Sequence, residues 1–446
     1  MSSKDLKRRD FLSKATVGTV GAAALLSACS SGTRVKPIED PPDLPDQAPD
    51  GKLIKAGLIG CGGRGTGAAI NFLDAGPNLE IVALGDVFQD RLDGCRAKLK
   101  EEKGVEVADE NCFLGFDSYQ KVIDAGVDLV LLCTPPHFRP AHVEAAINAR
   151  KHVFMEKPVA VDPVGARSVL VSSKMAESLG LCMVSGTIRR VQKDYITTQM
   201  KVANGEIGEI VGAHIIRNGG ALWYKERRPE WTDMEYMIRN WANFCWLSGD
   251  HITEQFIHEI DAMSWHMGRT PVKAIGWGGR QRRKTGDQYD FFSVEYIYEN
   301  GVRAHCAARQ INGCYNGKVE RIIGTKGVAI ASGQILDLDG NEVWRYPKPE
   351  EGDPSSKWKV TNPFVQEHIN LVTGIRTGNT VNDSEAQVNS TLMTIMGRFA
   401  AYTGKDISWE EIMNSDLYLG PKTYSFGPVP GIPEEIPLAG EENSLS

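Results

Sequence analysis

The sequence predicts an α/β protein: a doubly wound parallel sheet followed by an α+β domain with an open, mostly antiparallel sheet. Three observations carry this. A glycine-rich turn, Gly60 to Gly65, separates an apolar run of strand length from a helical pattern. From there to about residue 186, short apolar runs alternate with helical periodicity, as parallel βαβ units do. Beyond it strands follow one another in series, and Asn300-Gly301 is a strong hairpin turn, which points to antiparallel pairing.

Residues 53–59 form the first apolar run, and Gly60-Cys61-Gly62-Gly63-Arg64-Gly65 follows it. A helical pattern through Ala68, Ala69, Ile70 and Phe72 leads to a second apolar run, 81–84, closed by Gly85-Asp86. Strand, glycine turn, helix, strand and acid make the dinucleotide-binding unit of a Rossmann domain. Gly60 permits the tight turn, Gly62 lets a pyrophosphate approach the backbone, and Gly65 lets the helix pack close to the strand. The helix N-terminus offers unpaired N–H groups to phosphate. Asp86, about 20 residues past the last glycine, can bond both ribose hydroxyls and would repel a 2′-phosphate, so NAD is expected over NADP.

The alternation continues with helices at 90–103 and 116–125 and a buried parallel strand at 128–133. That strand ends in Thr134-Pro135-Pro136-His137. After a helix at 142–149, the strand 152–155 delivers Glu156-Lys157-Pro158 to the same carboxyl edge, where open α/β sheets bind ligands. Thr134, Pro135, His137, Glu156 and Lys157 therefore join Gly60, Gly62, Gly63, Arg64, Gly65 and Asp86 as expected cofactor-binding residues. A helix at 163–179 and a strand at 181–184 complete this part. Then come a helix at 195–204 and alternating strands at 211–217, 272–278, 291–298 and 302–309. Helical patterns at 364–377 and 385–403 can pack back against the first domain. The expected boundaries are 51–186 for the dinucleotide-binding domain, 187–425 for the substrate domain and 426–446 for an extended tail.

The chain begins with an address. Lys7-Arg8-Arg9-Asp10-Phe11-Leu12 reads as a twin-arginine export signal, and the apolar stretch 15–26 after it is too short for a permanent membrane span. Leu26-Ser27-Ala28-Cys29 reads as a lipobox, with Cys29 lipidated. The expected product is a lipoprotein on the periplasmic or outer side of a bacterial cell, with signal 1–29 and a proline-rich linker 30–50. That linker either tethers the domain or wraps the adenine side of the cofactor. Outside the cytoplasm no dependable pool of free NAD exists, so the cofactor should be held tightly and regenerated within the catalytic cycle.

A net charge of −7 argues against a nucleic-acid partner. The nine cysteines show no paired-cysteine spacing, and Cys61, Cys133 and Cys182 sit in apolar contexts that suit free thiols.

Two further stretches carry chemistry. Between 249 and 265, His251, Glu254, Gln255, His258 and Asp261 recur at spacings of three or four, along one helical face. Imidazole and carboxylate there could ligate a metal, but the HExxH spacing is missing, and no metal is expected. Trp223, Tyr224, Trp231, Tyr236, Trp241 and Trp246 lie close to Arg227, Arg228 and Arg239. Such residues build either a core with its rim or a sugar-binding loop, and the second reading is taken here. Arg189, Trp223, Tyr224, Trp241, His251, Gln255 and His258 are the expected substrate contacts.

The glycine turn, Thr134-Pro135-Pro136-His137, Glu156-Lys157-Pro158, Gly324-Thr325-Lys326-Gly327 and the helix around His258 resemble the glucose-fructose oxidoreductase and inositol dehydrogenase family (Gfo/Idh/MocA) from residue 52 to about 415. The resemblance implies NAD(P)-dependent oxidation of sugars or polyols. It also implies an acid and a histidine one turn apart beside the nicotinamide: His258 matches the histidine, and Glu254 stands where aspartate is usual. Lys157 can polarise a substrate hydroxyl and His258 can take its proton. The expectation is a homo-oligomeric NAD-dependent sugar oxidoreductase with catalytic Lys157, His258 and Glu254. One alternative is a redox-neutral NAD-dependent glycosidase working by oxidation, elimination, hydration and reduction, although the Thr-His-Gly loop of such relatives is not apparent. A non-catalytic sugar- or NAD-binding lipoprotein is the other.

Overall fold

Two sheets organise the protein in a computed structural model, which describes residues 41–347, 356–359, 361–430 and 436–441. The twin-arginine motif, the lipobox, residues 30–40 of the linker and residues 431–435 and 442–446 of the tail lie outside the described residues.

The first sheet has six parallel strands: β1 (Ile54–Ile59), β2 (Leu79–Asp86), β3 (Cys112–Leu114), β4 (Leu129–Leu132), β5 (His152–Met155) and β6 (Met183–Ser185), in the order β3-β2-β1-β4-β5-β6. Every residue of β4 is buried, because helices cover both faces of the sheet. These helices are α1 (Gly63–Leu73), α2 (Gln89–Lys103), α3 (Ser118–Asp124), α4 (Arg139–Asn148) and α5 (Pro163–Leu179). Local sequence sets α5 at both ends. Asp162 caps it by accepting from the Gly165 N–H, Pro163 occupies its first turn, and Gly180 at φ 68° ends it.

The second part begins with α6 (Lys193–Ala203) and β7 (Ile210–Gly219). Four short helices follow: α7 (Asp233–Arg239), α8 (Cys245–Ser248), α9 (Asp250–Glu254) and α10 (Ile257–Met267). Strands β8 (Lys273–Gly279), β9 (Phe291–Ile297), β10 (Arg303–Gln310), β11 (Gly317–Gly324), β12 (Val328–Ile330), β13 (Gln334–Leu336) and β14 (Glu342–Arg345) come next. The chain then runs through α11 (Pro363–Thr377), α12 (Ser384–Thr403), β15 (Ile407–Ser408) and α13 (Trp409–Asn414). The nine-stranded sheet runs β14-β13-β12-β11-β7-β10-β9-β8-β15, and its neighbours are antiparallel except β7 and β10. The fold class is the one expected. One face of this sheet is buried at every second residue of β9 and β10, against α10 and α12.

The described residues form one compact unit. Helix α12 is buried along nearly its whole length and touches α5 on one side and β8 and β9 on the other. Its Arg398, fully buried, donates to the carbonyls of Gly249 (2.8 Å) and Val161 (2.9 Å), one from each part. Helix α11 packs on α1, with the His368 ring 4.3 Å from Phe154. Residues 41–50 run past the amino edge of the first sheet: Ala48 N bonds Ala75 O at 2.7 Å and Arg376 reaches Pro49 O at 2.6 Å. This described portion of the linker therefore lies away from the carboxyl edge where a cofactor would sit. Among the described residues no helix is long and apolar enough to cross a membrane.

Replacing Arg398 with Met would leave two buried carbonyls unpaired. Urea denaturation should report a loss of about 2 kcal/mol or more; an unchanged midpoint would remove Arg398 as the tie between the two parts.

Candidate active site

The dinucleotide loop is built around two glycines that admit no side chain. A Cβ on Gly60, where φ is +95°, would lie 2.7 Å from the Cys133 carbonyl carbon; one on Gly65 would lie 1.8 Å from Gly60 O. Gly62 differs, since a Cβ there would meet nothing within 4 Å. The space beside it opens into a cavity of about 430 Å³ lined by Gly60, Gly62, Gly63, Arg64, Gly65, Asp86, Thr134 and Pro135. Helix α1 starts there with no side-chain cap and no acidic residue in its first turn, so its N–H groups stay open to an anion. The Asp86 carboxylate is aimed by two backbone donors, Cys61 N (2.7 Å) and Phe88 N (2.9 Å), while burial pushes its pKa up. Open glycine space, uncapped helix and aimed acid fit NAD.

Glu156 and His137 do not line this cavity. Glu156 accepts from Arg64 Nε at 2.5 Å and so braces the loop. His137 is buried, with Nε2 2.7 Å from the Tyr424 hydroxyl, and burial pulls its pKa to about 3. Arg139, which sequence reasoning passed over, is also buried; it bonds the carbonyls of Thr134 (2.7 Å) and Pro158 and locks the two edge loops together.

Lys157 leaves the first sheet and meets the second part. Its Nζ donates to the Glu254 carbonyl (2.5 Å) and to Glu254 Oε1 (2.9 Å). Burial pushes the Glu254 carboxyl up, but Lys157 and the bond from Gln255 outweigh it, and the net pKa is below the ordinary value. His258 sits one turn on. Burial first, then the charges of Lys157, Arg189, Arg217 and Lys318, hold it well below its ordinary value. Its imidazole is neutral at physiological pH, with Nδ1 buried and free of any hydrogen bond among the described residues.

The helical face read from spacing is broken. A two-residue turn at Gln255-Phe256, where both N–H groups bond the His251 carbonyl, interrupts the helix between α9 and α10, and His251 and Asp261 take other partners. His251 is buried with its ring 4.9 Å from Phe292, and Asp261 is held by Arg190 and Ser390. Arg189 is likewise buried, bonded to Glu259 (2.6 Å) and Tyr195. His251 and Arg189 are thus both buried, the one against Phe292 and the other in an ion pair with Glu259. Gln255 remains beside the centre, bonding Glu254 and receiving Arg217 at 3.3 Å. Among the described residues no group of three potential ligands could hold a metal ion.

The aromatic stretch also takes a different place. Trp223, Lys225, Ile238, Arg239 and Trp241 line the dinucleotide cavity opposite the glycine loop, while Tyr224 is half exposed and outside that lining. Arg239 grips Asp90 with two bonds (3.0 and 3.2 Å) and lies 3.9 Å from the Phe88 ring centre. A second stretch of chain packs behind the same side. Leu419 N bonds Asp162 at 2.9 Å, Phe426 packs on Phe88 and Phe116, and Gly427 O accepts from Met234 N at 3.1 Å.

A profile described as an oxidoreductase family with an NAD-binding Rossmann fold, Gfo/Idh/MocA, matches residues 54–185, and that family's C-terminal domain matches residues 195–330. The chain belongs to the Gfo/Idh/MocA family. As a family member it is 29% identical to the myo-inositol 2-dehydrogenase of Thermotoga maritima, over 73% of this chain and 89% of that protein. The 2,7-anhydro-N-acetylneuraminate hydratase of Escherichia coli is 26% identical over 51% of this chain and 53% of the hydratase. Among solved structures, scyllo-inositol dehydrogenase from Lactobacillus casei with bound NAD(H) and scyllo-inositol shares the fold at 21% identity and a TM-score of 0.58, covering 80% of this chain and 99% of that one. These family members and the cavity agree on an NAD-binding oxidoreductase.

Two glycine variants separate folding from binding. Gly65→Ala should lower stability by about 1–3 kcal/mol through backbone collision. Gly62→Ala should change stability by less than about 0.5 kcal/mol yet abolish NAD retention. Unfolding curves paired with nicotinamide content check both, and equal stability losses in the two would contradict the assignment.

Proposed function

We propose that this protein is an exported, lipid-anchored oxidoreductase that acts on a sugar or glycoside hydroxyl with an NAD it does not release. The observation that carries the reading is the Lys157 ammonium, pinned by Glu254 at the carboxyl edge of the NAD-binding sheet beside a neutral His258. When bound, NAD supplies the hydride acceptor. Lys157 orients the substrate hydroxyl and favours its alkoxide by charge. His258, whose pKa burial holds well below its ordinary value, receives the hydroxyl proton. Glu254 holds Lys157 in place, and Gln255 steadies Glu254. The names of the relatives, inositol dehydrogenases above all, support a polyol or sugar as substrate.

Enclosure supports retention. Trp223, Lys225, Arg239 and Trp241 wall one side of the cavity, and Phe426 packs against Phe88 and Phe116, which also line it. Such a cofactor is best served by a cycle that restores it on the enzyme, which favours transhydrogenation between carbohydrates or redox-neutral bond cleavage over turnover of free NAD. Export through the twin-arginine route with anchoring at Cys29 fits that need, since a folded, loaded protein carries its own cofactor.

Purified protein, once denatured, should release about one nicotinamide per chain, and glycosides or sugars added to the intact protein should reduce it in a single turnover. Lys157→Ala or His258→Ala should cut that reduction by a factor of about 100 or more while leaving the dinucleotide bound. Normal turnover in both variants would refute the site. Truncation after Ser415 should accelerate cofactor loss. The depressed His258 pKa sets the pH response: the base is lost only on protonation, so the rate of reduction should stay flat near neutrality and fall only well below pH 6.5. A fall centred above pH 6.5 would exclude His258 as the base.

A further inference from the structure

Beside the reaction centre, three cations share one carboxylate. Arg217 on β7 and Lys318 on β11 are direct cross-strand partners, an arrangement of like charges that costs stability unless an anion answers it. Both turn to Glu259 Oε1, at 2.8 Å and 3.6 Å, and Arg189 takes the same oxygen at 2.6 Å. Glu259 is completely buried, whereas the Arg217 and Lys318 side chains are 27% and 51% exposed. The other carboxylate nearby, Glu320, is buried against Arg189 and Tyr195, and burial raises its pKa. The anions of the cluster thus lie underneath and the cations face outward. The cluster is joined to the centre by hydrogen bonds, from Arg217 to Gln255, from Gln255 to Glu254, and from Lys157 to Glu254.

We infer that the substrate carries an anionic group, a carboxylate or a sulfate ester, seated on Arg217 and Lys318 while its reacting hydroxyl meets Lys157. This deepens the sugar-oxidoreductase reading and rests on it for the role of Lys157. Glu259 answers both cations from beneath through a single oxygen, 3.6 Å from Lys318, while their exposed sides remain open; an anion with two oxygens takes a charge-assisted bond from each, where a neutral hydroxyl uses one donor.

Calorimetric titration of the NAD-loaded full chain tests this with D-glucuronate, D-galacturonate and D-glucose 6-sulfate, each against its neutral parent sugar. At least one anionic sugar should bind about tenfold or more tightly than its parent. Added salt should erode only that preference, and Lys318→Met should remove most of it. Tighter uronate binding assigns a carboxylate, and tighter 6-sulfate binding a sulfate ester. Equal or weaker binding of every anionic sugar overturns the inference, as does a Lys318→Met variant that weakens anionic and neutral sugars alike. Cofactor reduction, followed by absorbance in the same samples, keeps the two readings apart. Anion-selective binding without reduction by any sugar defeats the oxidoreductase reading and leaves the anion site standing. Reduction by neutral sugars without anion selectivity does the reverse.

Discussion

One buried ion pair makes the two sheets a single machine. Lys157 comes from the edge of the parallel sheet and Glu254 from a short helix of the second part, and neither alone would place an ammonium beside His258. Desolvating both charges is costly, and the pair persists because each is also hydrogen-bonded: Lys157 to the Glu254 carbonyl, Glu254 to Gln255. The fully buried Arg398 fixes the distance between the two parts by holding a carbonyl from each.

The same economy governs the cofactor cleft. Glycines 60 and 65 bring the loop close to the sheet, Gly62 leaves room for the ligand, and the opposite wall is lent by the segment 223–241. The stretch at Leu419 is bound to the first domain through Asp162, the residue that also caps α5.

Legibility in the sequence followed the range of the interactions. Five of the six parallel strands, their helices and the roles of Gly60, Gly62, Gly65 and Asp86 could be read because each depends on neighbours a few residues away, whereas β3, three residues long, was passed over. The strands between Gly317 and Arg345 were passed over: three of the four are only three or four residues long, too short for periodicity to register. Trp223 and Trp241 were legible as flat aromatic surfaces, but not which ligand they face. Arg139, Arg217 and Lys318 left no local signal, since each gains its meaning from residues far along the chain.

By itself the sequence determined the βαβ unit, the preference for NAD and the pairing of a lysine with a histidine as candidate chemistry. Those rest on backbone conformation, on charge near the ribose and on residue type. Only the tertiary structure decided that His251 and Arg189 are packed away, that the aromatic stretch walls the dinucleotide cavity, and that Glu254 answers Lys157 across the two parts. The reason is that burial and electrostatic partnership belong to the space between elements, and spacing along a chain does not encode the break at Gln255 that turns one apparent helical face into two.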